Sequence, residues 1–75
     1  MKLICKLGDF GEKIVVVKKT DSLSILMNLL GFEDKNTKFI FNERTYSVYT
    51  NQTFEEIGLT RDNTLLYFIS QAISG

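Results

Sequence analysis

Asn63-Thr64-Leu65-Leu66-Tyr67-Phe68-Ile69-Ser70 is the stretch that decides how this chain folds. Leu65 to Ile69 run without a polar break. A strand with one wet face alternates apolar and polar residues. A strand apolar on both faces has protein on both, or keeps one face for a partner. Five residues is strand length, and the aromatic and branched content favours strand over helix. The segment therefore reads as a central strand near the end of the chain, with earlier strands on either side.

Working outward, Met1–Leu7 (MKLICKL) alternates, with Leu3 and Cys5 on one face. Gly8-Asp9-Phe10-Gly11 is a turn signal, and Lys13–Lys18 (KIVVVK) follows as a second strand. So short a connection predicts an antiparallel pair. Val15 and Val17 face opposite to Ile14 and Val16, which leaves apolar surface on both sides. Lys13, Lys18 and Lys19 bracket the strand, as expected of a guarded edge. Thr20-Asp21-Ser22 is a helix start, and Gly31 closes the helix after Leu30. Leu23, Leu26, Met27 and Leu30 form the core stripe, and Ile25 and Leu29 lie on the next flank. That apolar arc is wider than a surface helix needs. The excess predicts either a core that wraps round the helix or a second contact surface at Ile25 and Leu29.

Phe39-Ile40-Phe41 is a short strand, Asn42-Glu43-Arg44 turns, and Thr45–Tyr49 alternates as a fourth strand. Thr53–Ile57 carries a capping box, Thr53 with Glu56 three residues on. Gly58 ends that turn, and Asp62-Asn63 enters the final strand. The order is β-β-α-β-β-short helical turn-β. It predicts an α+β fold in which a mixed sheet of about five strands packs on one helix. The expected division is a domain over residues 1–70 and a flexible C-terminal tail over 71–75.

Composition narrows the function. Seventy-five residues make one domain with a small core. Nine basic and nine acidic residues cancel, so no field draws in nucleic acid, and no basic stripe is present. The absence of histidine excludes Ser/His and Cys/His pairs and histidine metal sites. Cys5, the one cysteine, makes no internal disulfide and reads as a small buried hydrophobe. Asp21, Glu33-Asp34 and Glu55-Glu56 lie at caps and loops, where acidic residues serve local structure. No catalytic residue, metal site or cofactor is expected, and the domain is not expected to be an enzyme. Nothing reads as a signal peptide or approaches the ~20 apolar residues of a membrane span. The expected compartment is reducing, cytoplasmic or nuclear.

The order of elements and three segments resemble ubiquitin and its relatives, the β-grasp fold. Phe39-Ile40-Phe41 with its polar turn is similar to the third strand and turn of ubiquitin. Thr53-Phe54-Glu55-Glu56-Ile57-Gly58-Leu59 resembles its threonine-led helical turn, and Asp62-Asn63-Thr64-Leu65 its entry to the last strand. The likeness covers the whole chain. It implies a partner-binding apolar patch on the open face of the sheet, carried here by Ile40, Leu66 and Phe68 with Leu7 or Phe10. On this assignment Leu65, Tyr67 and Ile69 face the helix. The tail Ser70–Gly75 (SQAISG) departs from ubiquitin, which ends in a basic stretch and two glycines. Its single glycine is similar to the autophagy-type modifiers and the ubiquitin-fold modifier.

The resemblance then implies a protein modifier, conjugated through Gly75 to a target amine after ATP-dependent activation. Its partners would be proteins: activating and conjugating enzymes and a target or receptor. The alternative is a non-conjugated ubiquitin-like domain acting as an interaction module. A β-grasp sulfur carrier shares the tail logic but normally ends in two glycines.

Overall fold

The computed structural model describes residues 1–32 and 34–69. The 70–75 segment, with Gly75 as the expected conjugation residue and the expected tail, lies outside the described residues. Five strands form one mixed sheet: β1 (Lys2–Lys6), β2 (Glu12–Val16), β3 (Lys38–Phe41), β4 (Arg44–Ser47) and β5 (Thr64–Ile69). Their order is β2-β1-β5-β3-β4, so the last strand occupies the centre. β5 runs parallel to β1 and antiparallel to β3. One α-helix among the described residues, α1 (Ile25–Leu30), packs on one face.

Two kinds of turn make the hairpins. Between β1 and β2, Gly8–Phe10 coils as a 3-10 turn, and the Leu7 N–H donates to the Gly11 carbonyl at 2.7 Å. Between β3 and β4, Asn42 and Glu43 both take positive φ, 52° and 66°. A two-residue loop with two positive φ angles is a type I′ turn, whose twist matches that of the strands.

The helix begins later than the capping signal predicted. α1 starts at Ile25, and its N-cap Ser24 makes no side-chain cap bond. Thr20-Asp21-Ser22 is spent otherwise. The Asp21 carboxylate accepts the Lys18 N–H at 2.9 Å, and the Ser22 and Ser24 hydroxyls bond each other. The turn before α1 is held by i→i+3 bonds from Ile25 to Ser22 and from Leu26 to Leu23. Those groups fasten the helix entry to the loop beyond β4. Leu23 N–H donates to Gln52, Phe54 N–H to Asp21, and Glu55 N–H to Lys19. The exit matches expectation. Gly31 adopts φ 76°, and its N–H and that of Phe32 both reach the Met27 carbonyl.

The capping box at Thr53 is fully formed. Thr53 N–H donates to Glu56 Oε1 at 2.8 Å, and Glu56 N–H donates to Thr53 Oγ1 at 3.1 Å. This turn drives Phe54 and Leu59 into the core. The core lies between the sheet and α1. Leu3, Cys5, Val15, Val17, Phe39 and Leu66 come from the β1–β2, β3 and β5 side, and Leu23, Leu26 and Leu30 from the helix and its entry. Val48, Phe54 and Leu59 close the far end. Met27 and Ile25 pack half-buried against it.

The faces of β5 are the reverse of the sequence expectation. Leu66 is fully buried and Phe68 half-buried on the helix side, while Leu65, Tyr67 and Ile69 are exposed. The register supplies the reason. Leu66 stands opposite Cys5 of β1, and Phe68 opposite Phe39 of β3. Both neighbours are buried, and paired residues point to the same face. Leu66 and Phe68 therefore belong to the core and not to an open patch.

Candidate functional site

The open face of the sheet is built from the residues that alternate with the core. On β1, Ile4 stands between Lys2 and Lys6, on the side opposite Leu3 and Cys5. Across the sheet Ile4 pairs with Ile14 on β2 and with Leu65 on β5. Tyr67 pairs with Lys6 on one side and Ile40 on the other. Ile69 pairs with Lys38, and Val16 with Lys2. The result is an apolar band, Ile14–Ile4–Leu65, continued through Tyr67 to Ile40.

Among the described residues no layer covers that band. Ile14 is 58% exposed, Tyr67 52% and Leu65 43%. A contiguous exposed apolar surface on a small domain is characteristic of a contact site for another macromolecule. Lys2, Lys6 and Lys38 share the face, with Glu12 as the acid opposite Lys6. Lys6 Nζ and Glu12 Oε2 are 2.6 Å apart. The hydrogen bond and charge of Glu12 hold the Lys6 ammonium above its ordinary range. The face is thus apolar along its middle and mostly basic at its margins.

Of the residues expected to form the partner patch, Ile40 alone lies on the open face, half-buried between Tyr67 and Thr45. Leu66 and Phe68 are in the core, as described above. Leu7 and Phe10 gather elsewhere. With Phe32, Thr37, Phe68 and Ile69 they line a groove of about 370 Å³ beside the 3-10 turn. Phe10 stands 76% exposed at its rim. Phe68 is held there by Phe32 and Phe39, with ring centroids 5.7 and 5.6 Å away. The second expected surface divides. Leu29 is exposed, but Ile25 packs against the core, so the two do not make one patch.

The sequence pattern assigns Leu65, Tyr67 and Ile69 to the helix side, and it gives Ile4 and Ile14 no partner-binding role. One signal pointed to Ile4: the lysines two residues on either side of it mark its face as wet. Nothing comparable marks β5, where every position from Leu65 to Ile69 is apolar.

Burial pushes the Cys5 thiol up to about 11, which keeps it protonated and unreactive at neutral pH. Among the described residues no cluster of His, Cys, Asp and Glu could hold a metal ion. Among them too, no helix is long and apolar enough to cross a membrane.

No family model matches this chain, and no curated protein matches it. Solved structures do. The UBL domain of yeast Ddi1 superposes with a TM-score of 0.70 at 19% identity, over 95% of this chain and 88% of that one. ATBAG1, crystallised in complex with HSP70, superposes with a TM-score of 0.75 at 12% identity. That match covers 99% of this chain and 42% of the ATBAG1 chain. At such identities the likeness establishes the fold, which is a ubiquitin-like β-grasp.

Proposed function

We propose that this chain is a ubiquitin-like protein-binding domain, engaged by another protein through the open face of its sheet. The observation that carries the reading is the uncovered apolar band Ile14–Ile4–Leu65–Tyr67–Ile40. Exposed aromatic and aliphatic side chains at the centre of a face are what interfaces bury most profitably. The lysine margin favours a partner with carboxylates around an apolar centre. On this reading the domain supplies a surface and is not itself an enzyme. It acts in a reducing compartment, the cytoplasm or nucleus.

The test begins with affinity capture from extract of the source cells, using wild type beside Tyr67→Ala. The captured partner is then titrated against isotope-labelled protein. Amide shifts should centre on Ile4, Ile14, Ile40, Leu65 and Tyr67. Tyr67→Ala should weaken binding by about 2 kcal/mol, some 30-fold, without unfolding the domain. Shifts confined to the helix face or to the Phe10 groove would sink the reading.

A second reading, conjugation through Gly75, rests on the resemblance of the 70–75 segment to single-glycine modifiers. It makes a separate prediction. Tagged protein incubated with extract and ATP should form a reductant-sensitive adduct that Gly75→Ala cannot form. With a control modifier charging in the same extract, absence of the adduct leaves a non-conjugated module.

A further inference from the structure

We propose that two copies of this chain pair edge to edge through β2, antiparallel, making one continuous sheet across a two-fold axis. The proposal goes beyond the protein-binding reading and does not depend on it.

Hydrogen bonds to β1 settle which backbone groups of β2 are free. The Met1 ammonium donates to the Val17 carbonyl, and the Val17 N–H donates back to Met1. At the other end the Leu7 N–H donates to Gly11. Bonded and non-bonded pairs alternate along an antiparallel ladder. Lys13 and Val15 therefore bond β1, and the N–H and C=O groups of Ile14 and Val16 point away from the sheet. Among the described residues no strand lies on that side, since β2 is an edge of the sheet.

The opposite edge is built differently. The type I′ turn closes β3 and β4 with a bonded Phe41–Arg44 pair, so Thr45 and Ser47 present the outward backbone of β4. That strand is short and polar at its margin, the usual way to prevent edge pairing. β2 instead exposes Ile14 at 58% and Val16 at 71%. Lys13 gives little protection, since it projects from the other face, opposite Cys5.

Charge selects the occupant. β2 begins at Glu12, which pairs with Lys6 of β1 and is followed by Lys13, and Lys18 and Lys19 follow the strand. A second copy laid antiparallel brings Glu12 of each strand against Lys18 of the other, where Glu12 can bridge the Lys6 and Lys18 ammonium groups. A parallel copy brings like against like. With Ile14 opposite Val16 of the second copy, Glu12 falls opposite Lys18 and the two Val15 residues meet at the axis. Each Ile14–Val16 pair then exchanges two N–H···O bonds. The ladder ends at Lys18, whose N–H is already held by Asp21, so Lys18 contributes its ammonium. The row Leu65–Ile4–Ile14 continues into Val16 of the neighbouring copy.

Sedimentation equilibrium over a concentration series into the millimolar range reads the association, and amide exchange reads the edge. The mass should rise toward twice that of the monomer. Exchange at Ile14 and Val16 should slow with concentration in step. Val16→Lys, at an exposed position, should stay monomeric throughout while keeping a folded amide spectrum. Lys18→Glu should weaken association about tenfold, because it sets two carboxylates opposite each other at both ends. Glu12→Lys combined with Lys18→Glu should restore most of that loss. A mass that stays monomeric for the wild type overturns the proposal. So does a dimer that Val16→Lys leaves intact, or one that Lys18→Glu does not weaken.

Discussion

Cys5 lies in the core, opposite Leu66 of β5 and Lys13 of β2. Burial raises its thiol from an ordinary value near 9 to about 11. The folded chain therefore holds this proton while the unfolded chain releases it. Between those two values the unfolded state binds fewer protons, so raising the pH favours unfolding. Below about pH 9 the group has no effect on stability. From there to about 11 it removes up to about 2–3 kcal/mol. The comparison is with Cys5→Ala, which isolates the thiol. Urea unfolding at neutral pH and near pH 10 should show wild type losing stability relative to the variant. Alkylation at neutral pH should be slow until denaturant is added. That Cys5 is buried was legible in its apolar run. The size of its pKa shift was not, because desolvation depends on neighbours brought from β5.

The elements differ in how well local sequence describes them. The Thr53 capping box and the Gly31 helix exit are local devices, closed by residues a few positions apart, and both stand where the sequence placed them. The Thr20-Asp21-Ser22 signal failed as a helix start because Asp21 and Ser22 had nearer uses at Lys18 and Ser24. Competing side-chain-to-backbone bonds of this kind are common for Asp and Ser. The β3–β4 hairpin carries a residue that does not suit its turn. Glu43 adopts φ 66°, where a side chain is disfavoured and glycine is not. Glu43→Gly creates the Asn-Gly pair preferred in type I′ turns. It should raise stability by up to about 1 kcal/mol, seen as a higher urea midpoint with an unchanged slope. Glu43→Val should lower it.

At the scale of the whole molecule, the reversal of β5 makes a paired prediction. Leu66→Ala empties a fully buried site and should cost about 2–5 kcal/mol, near the whole stability of so small a domain. Leu65→Ala, one residue away on the open face, should cost well under 1 kcal/mol by the same urea titration. If the two losses were equal, the assignment of faces would be wrong. The same distinction separates folding from function, since Leu65 and Tyr67 can be changed without opening the core. Sequence determined the order of the five strands and the α-helix, the central place of the last strand, most local turns and the lack of histidine. These follow from composition, periodicity and contacts between near neighbours. Tertiary structure alone decided which face of β5 is buried and which residues make the open band. Period two offers two equivalent faces when Leu65 to Ile69 are all apolar. The choice between them is made by register with Cys5 and Phe39, strands more than twenty residues away in the chain.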